Sequence, residues 1–233
     1  MHAKILKEII LKRNREKGAF LSRFFKTGPG QYGEGDLFLG ITVPESRKIA
    51  IKYSNIKLTD TSELLKNKYH EVRLVALLIL VHQYKHSKNE ASKKIIYNFY
   101  LKNTKFINNW DLVDLSASYI VGNYLINKDR KILLKLAKSK NIWERRIAII
   151  STFAFIYKGE SDWTFHIVKI LLNDTHDLIQ KACGWMLREV GKRVSEIDLT
   201  SFLDRYGSQM PRTMLRYSIE RLPEKKRLYY LHK

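Results

Sequence analysis

The chain has 233 residues, of which 45% are hydrophobic, so it can fill a sizeable core and is not expected to be disordered. Its 43 Lys and Arg against 23 Asp and Glu give a formal net charge of +20, which favours a polyanionic partner such as nucleic acid. The longest apolar run, LVALLILV at 74–81, is too short to cross a membrane. With a single cysteine, Cys183, and no evident signal peptide, the sequence predicts a cytoplasmic protein.

The spacing of apolar residues is helical along most of the chain. Bulky residues recur every three or four positions in EVRLVALLILVHQY, WDLVDLSASYIVGNYLI, ERRIAIISTFAFIY and LIQKACGWMLREV. No stretch alternates between apolar and polar residues for long enough to indicate a sheet. We therefore predict an all-α protein.

These segments also resemble one another. They align at spacings of 41, 32, 34 and 35 residues on Arg73, Asp114, Arg146, Gln180 and Leu215. A period near 35 is typical of two-helix repeats of the HEAT type, which stack because each is too small to bury its apolar face alone. The pattern predicts one solenoid domain over 1–233, with a concave basic groove lined by the aligned residues. Alternatively, these residues are helix starts on a solvated edge.

Two motifs that bind metals or phosphates elsewhere are incomplete in this chain. His82 and His86 have metal-ligand spacing, but Gln83 replaces the glutamate of a catalytic zinc helix and no third ligand is evident. The loop KTGPGQYGEGD at 26–36 is rich in glycine and lacks the Gly-Lys-Ser/Thr signature of a P-loop. We therefore predict no metal site at the two histidines. We predict that the loop 26–36 is an exposed connection, from which Lys26 can contact a phosphate.

The stretch NNWDLVD places Trp110 just before Asp111 and Asp114. Aspartates in a first helical turn stabilise the helix dipole, so both can be structural. Aromatic rings beside a carboxylate can also bind a flat cation, and Trp110 and Trp185 both occur next to polar positions of the aligned segments. The pattern alone leaves both interpretations open.

Five stretches together resemble a known family: FLGITVPESR (38–47), NNWDLVD (108–114), NIWERRIAII (141–150), IQKACGWMLREV (179–190) and MPRTMLRYSIE (210–220). They occur in order over most of the chain. The chain resembles the bacterial DNA alkylation repair glycosylases of the AlkD type, which are HEAT-like repeat proteins.

The resemblance implies hydrolytic removal of cationic alkylated purines, such as N3-methyladenine and N7-methylguanine, from double-stranded DNA. It implies a monomer without metal or cofactor. Asp114 matches the family's catalytic carboxylate, and Trp110 and Trp185 match the aromatic walls beside the lesion's deoxyribose. Arg146 matches a residue that contacts phosphate, whereas Asp111 keeps its position at the helix start.

Further DNA contacts are expected from basic residues and from two positions that depart from the family pattern. The basic candidates are Arg23, Lys26, Arg73, Arg145, Arg146, Lys181, Arg188 and Arg212. Phe24 stands where the family's best-known members have a tyrosine, and Thr42 stands where they have a longer amide. Both departures bear on DNA binding and lesion range more than on the reaction.

Two other functions compete with that of a glycosylase. A catalytically inactive relative would only bind damaged or branched DNA, but it need not keep Trp110, Asp114 and Trp185 together. A protein-interaction scaffold is the commonest use of HEAT repeats, but a strongly basic chain disfavours it.

Overall fold

The structure is a computed structural model that describes all residues, 1–233. Its regular secondary structure is helical throughout, and an isolated bridge between Leu37 and Tyr69 is the only β-type pairing. The all-α prediction is therefore confirmed. The chain divides into two compact units, Met1–Ile120 and Val121–Lys233.

The first unit contains seven α-helices and a short 3₁₀ turn at Thr104–Phe106. The α-helices are α1 (His2–Leu11), α2 (Arg15–Phe24), α3 (Val43–Lys52), α4 (Leu58–Leu65), α5 (His70–His86), α6 (Glu90–Lys102) and α7 (Trp110–Asp114). At the centre is α5, which packs against α3, α4 and α6 and is buried on all sides from His70 to Leu80. Its apolar run LVALLILV is thus a core helix.

A π-helical turn at Ser118–Gly122 contains the boundary between the units along the chain. The α-helices of the second unit are α8 (Asn123–Leu125), α9 (Lys131–Ala137), α10 (Ile142–Ser151), α11 (Phe153–Ile156), α12 (Asp162–Ile170), α13 (Asp177–Arg193), α14 (Glu196–Tyr206), α15 (Arg212–Ile219) and α16 (Glu224–His232). At the centre is α13, which packs against α10, α14 and α15.

The helix starts show a regular spacing. The residues that precede α5, α7, α10, α13 and α15 are 40, 32, 35 and 35 positions apart, at Tyr69, Asn109, Asn141, His176 and Pro211. The fourth residue after each of these is Arg73, Val113, Arg145, Gln180 or Leu215. The structure thus corrects the sequence alignment by one residue, because Asp114 and Arg146 lie one position further into their helices.

The side chains agree with this shift in α10. Arg73 donates to the carbonyl of Asn67, and Gln180 donates to that of Asp174, in both cases six residues earlier. Arg145 makes the same contact with Ser139. In three of the five helices, this position therefore holds a donor that ties the helix to the loop before it.

No helix is both long and apolar enough to span a membrane. The HEAT assignment, the single domain over 1–233 and the concave groove stay predictions.

Close packing of α13 against α15 requires a glycine at position 184. A Cβ atom there would lie 2.5 Å from both the carbonyl oxygen of Met214 and Cβ of Tyr217. We expect Gly184→Ala to lower the free energy of unfolding by about 1–3 kcal/mol, because the two helices must separate. Urea unfolding measures this. The control is Gly207→Ala, whose Cβ would meet nothing closer than 3.9 Å, and an equal loss in both variants would contradict the prediction.

Candidate functional site

The candidate catalytic stretch forms the short helix α7, and its start is fixed by side chains. The Asn109 side chain accepts a hydrogen bond of 2.8 Å from the Trp110 amide, and Oδ1 of Asp111 accepts one of 2.8 Å from the Leu112 amide. Trp110 and Asp114 stand four residues apart, which places them on the same side of the helix. The structure thus brings together these two predicted site residues, and it confirms Asp111 at the helix start.

A buried histidine lies between two carboxylates beside α7. Nδ1 of His70 is 3.1 Å from Oδ2 of Asp36, and Nε2 is 2.8 Å from Oδ2 of Asp111. The side chains of His70, Asp36 and Asp111 are 2%, 5% and 9% exposed, respectively. Buried charges are stable only when they are paired and hydrogen-bonded, so this trio is one electrostatic unit.

Asp36 connects the trio to further partners. Its Oδ1 accepts a hydrogen bond of 2.6 Å from Nη2 of Arg73, and its Oδ2 accepts one of 3.2 Å from Nδ2 of Asn109. Arg73 is only 5% exposed. The guanidinium of Arg73 neutralises a buried carboxylate, which leaves little of it at the surface for the expected contact with a DNA phosphate. We call Asp36, His70, Arg73, Asn109 and Asp111 the charged cluster.

The protonation of His70 follows from these neighbours. Burial by itself lowers the pKa of the imidazole, but the charge of Asp111 and hydrogen bonds to both carboxylates outweigh it and raise the pKa to about 9. For Asp36, burial raises the pKa, but the hydrogen bond from His70 and the charge of Arg73 lower it below its usual range. Around neutral pH, His70 is therefore an imidazolium between two carboxylates.

Aromatic rings pack Trp110 against the end of α2. The Phe25 ring stacks on Trp110 at a centroid distance of 5.0 Å, and its centroid also lies 5.1 Å from that of His70. Phe24 meets Trp110 edge-on at 6.1 Å and is 54% exposed. Phe24, a predicted DNA contact, thus lies at the surface beside a predicted wall of the site.

Asp114, the predicted catalytic carboxylate, ends α7 and is half-buried. Its carboxylate interacts electrostatically with Tyr100, which is fully buried. The Tyr100 hydroxyl lies 2.9 Å from Oγ of Ser116. Burial raises the pKa of the Tyr100 phenol, and the negative charge of Asp114 raises it further. A half-buried carboxylate is screened less by water than an exposed one, which strengthens its electrostatic effect on a nearby cation.

The FLGI loop is held by a buried carboxylate at the start of α5. Glu71 accepts hydrogen bonds from the amides of Leu39, Gly40 and Ile41 at distances between 2.7 and 3.2 Å. The next residue, Thr42, caps α3 in a capping box with Glu45, and its hydroxyl donates to that carboxylate over 2.6 Å. Thr42 is exposed, and its predicted contact with DNA stays a prediction.

An apolar cavity of about 300 Å³ adjoins the charged cluster within the first unit. His70, Glu71 and Asp111 border it, and the remaining walls are Lys17, Phe20, Leu21, Phe25, Phe38, Gly40, Ile41, Thr42, Val43 and Leu74. The largely apolar walls of this cavity thus lie next to the buried charges of the cluster.

Trp185, the predicted aromatic wall of the second unit, is half-buried on α13. Its ring lies 5.8 Å from that of Phe153, which lies 4.7 Å from Tyr157. The guanidinium of Arg193 lies 4.5 Å from the Tyr157 centroid. Trp185 therefore belongs to an aromatic cluster that carries a cation.

Two arginines of α10 occupy different surroundings. Arg146 is 5% exposed, and its Nη1 donates to the Leu178 carbonyl over 2.6 Å. Arg145 is half-buried, and its Nε donates to Oδ2 of Asp174 over 2.6 Å. Both anchor α10 to the segment at the start of α13. Their predicted phosphate contacts stay predictions, and the burial of Arg146 leaves little of it at the surface.

Three of the remaining basic candidates, Lys26, Lys181 and Arg212, lie nearer to solvent. Lys26 is exposed and has a φ of +52°, in the left-handed region. Lys181 pairs with Asp177 over 2.8 Å one helical turn earlier, and the exposed Arg212 donates to the Leu231 carbonyl over 2.9 Å. All three retain donors that can face an anion.

The residues considered for metal or thiol chemistry have ordinary surroundings. The His82 and His86 rings stack on each other at 4.1 Å, and no group of three ligand-type side chains that could hold a metal occurs. Cys183 is fully buried, and burial raises the pKa of its thiol, so it packs as a small hydrophobic side chain.

Comparisons with known proteins agree with the helical fold. The chain matches the family described as "DNA alkylation repair enzyme" over residues 5–222. A solved structure described as "Predicted DNA alkylation repair enzyme from Enterococcus faecalis" superposes with a TM-score of 0.70, covering 91% of this chain and 97% of that one at 17% identity. At that identity the likeness concerns the fold alone. No curated protein matches by sequence.

Because the family match spans nearly the whole chain, the protein belongs to the DNA alkylation repair enzyme family. Membership supports a role in DNA repair, with DNA as the substrate.

Sequence reasoning missed three residues that organise the site: Asp36, His70 and Glu71. Asp36 ends the loop that was predicted to be an exposed connection, most of which is indeed exposed. His70 and Glu71 directly precede the apolar run 74–81 of α5, and this contrast is the signal that the sequence offers.

The raised pKa of His70 makes stability depend on pH. The folded-state pKa of about 9 exceeds the ordinary 6.5, so the stabilisation is complete below pH 6.5 and is lost as the pH rises through 9. The shift corresponds to about 3 kcal/mol. We expect urea unfolding to show this loss in the wild type and in the exposed-histidine control His166→Gln, and not in His70→Gln. An equal pH dependence of the free energy of unfolding in the wild type and both variants would contradict this role of His70.

Proposed function

We propose that this protein is a monofunctional DNA glycosylase that hydrolyses the N-glycosidic bond of cationic alkylated purines, N3-methyladenine and N7-methylguanine, in double-stranded DNA. The observation that carries the proposal is the pairing of the half-buried Asp114 with Trp110 on one side of α7, in a chain of this family. The reaction needs neither metal nor cofactor.

The proposed chemistry follows from the charge of the substrate. A purine alkylated on a ring nitrogen is already cationic, so it can leave without a general acid. As the bond breaks, positive charge develops on the sugar, and the Asp114 carboxylate stabilises it where water is limited. The same carboxylate can orient the attacking water and accept its proton.

The two tryptophans are proposed to stabilise the same positive charge that develops on the sugar. Trp110 and Trp185 are proposed to contact the deoxyribose with their ring faces, which attract a cation through the ring quadrupole and exclude solvent. Trp110 is supported by stacking on Phe25, and Trp185 by Phe153. Each ring is therefore held by neighbours within its own unit.

DNA binding is proposed to depend on phosphate contacts without sequence readout, as befits a lesion that can occur anywhere. The formal charge of +20 supports this proposal. The proposed phosphate contacts are Lys26, Thr42, Arg145, Arg146, Lys181 and Arg212, and Phe24 is proposed as a further, apolar contact with DNA. The protein is proposed to act as a monomer.

The excision of N7-methylguanine from a single-lesion duplex tests the proposal. We expect Asp114→Asn to lower the single-turnover rate about 10²–10³-fold with DNA binding unchanged, because the charge is lost and the shape is kept. The matched control, Asp162→Asn on the surface of α12, should keep the wild-type rate. Salt-sensitive binding by the wild type without any excision would contradict the glycosylase and favour the catalytically inactive DNA-binding relative.

Binding to duplex DNA should weaken steeply with salt. With about six phosphate contacts, the affinity should fall about 10³-fold between roughly 50 and 200 mM salt, since each contact releases counterions. Fluorescence anisotropy of lesion and undamaged duplexes measures this. A salt-independent affinity, or no affinity, would contradict electrostatic DNA binding and revive the protein-interaction scaffold.

A further inference from the structure

The hydrogen-bond geometry around His70 favours its protonated form. Each ring nitrogen faces a carboxylate oxygen, at 3.1 Å from Asp36 and 2.8 Å from Asp111. A neutral imidazole has one donor and one acceptor, so one nitrogen would oppose a carboxylate lone pair. Only the imidazolium donates to both.

The charges of the cluster lead to the same assignment. Asp36 and Asp111 contribute two negative charges, and Arg73 and the His70 imidazolium contribute two positive ones. The other charged groups near the ring are Glu71, whose carboxylate is bonded to the amides of the FLGI loop, and Lys17, which borders the same cavity. Loss of the His70 proton would leave an uncompensated negative charge in the interior, which is costly.

Helix α7 cannot hold its own shape. It has five residues, far fewer than an isolated helix needs for stability in water, so its position depends on tertiary contacts. The charged cluster supplies two of them, through Asn109 at the residue before the helix and Asp111 in its first turn. Phe25 adds a third, because its ring contacts both His70 and Trp110.

We propose that His70 is a positioning residue for the reaction: as an imidazolium bridging Asp36 and Asp111, it holds α7 so that Trp110 and Asp114 are correctly placed. This inference rests on the proposed function, and it adds a pH limit to it. The site keeps its geometry while His70 is protonated and loses it at alkaline pH. His70 itself touches no substrate.

The consequence is a loss of rate without a comparable loss of binding. Small misplacements of catalytic groups commonly cost about 10²-fold, so His70→Gln should lower the single-turnover rate about 10- to 10²-fold at neutral pH. Asp111→Asn keeps the shape of the acceptor and removes its charge, so it should lower the pH at which the rate declines. The control His166→Gln should leave both the rate and the pH profile unchanged.

The test combines excision rates with nuclear magnetic resonance on the full-length protein. Single-turnover excision of N7-methylguanine would be measured from about pH 6.5 to 9.5, corrected for loss of base without protein, while ring-nitrogen shifts report His70. We expect His70 to titrate near pH 9 and the rate to fall with it. Thermal melting of each variant confirms that it is folded.

Two results would overturn the inference: a neutral His70 at pH 7, or a folded His70→Gln variant with the wild-type rate. If the wild type excises nothing, the proposed function fails, and the indole N–H resonance of Trp110 still decides the positioning role. A Trp110 resonance that moves with the His70 titration supports positioning. One that stays fixed through that titration contradicts it.

Discussion

The pairing of the His70 imidazolium with Asp36 and Asp111 is the interaction on which the geometry of the candidate site depends. It joins the end of the 26–36 loop, the start of α5 and the first turn of α7, three segments distant in sequence. Arg73 completes the neutralisation of the cluster. Because these charges are buried, removing any one of them leaves another unpaired, and the three segments hold their positions together.

This arrangement separates the groups that would do chemistry from those that place them. Asp114 and Trp110 are half-buried, whereas His70 and Asp111 are enclosed. A five-residue helix suits such a division, since it is too short to be stable alone and takes its orientation from its surroundings. The proposed electrostatic effect of Asp114 on a cationic sugar then depends on the position of α7, which contacts in the interior of the first unit determine.

The sequence was sufficient for the helical class and for the placement of Trp110 and Asp114 on one helix. Both follow from the local spacing of apolar residues. The sequence did not predict the burial of Arg73. Its partner Asp36 is 37 residues away in a glycine-rich loop, so local patterns indicate a surface cation. The helix starts in the structure shift the sequence alignment by one residue at Asp114 and Arg146. The spacing of apolar residues locates a helix only to within a residue or two, whereas the capping residue defines its first residue.

We propose that α7 presents Asp114 and Trp110 to the sugar of an alkylated nucleotide. A crystal structure of the Asp114→Asn variant with a duplex containing N7-methylguanine would test this placement. We expect the side chain at position 114 and the Trp110 ring to contact the deoxyribose of the lesion, and His70 to remain between Asp36 and Asp111. A duplex bound with its lesion away from α7 would show that this placement is wrong.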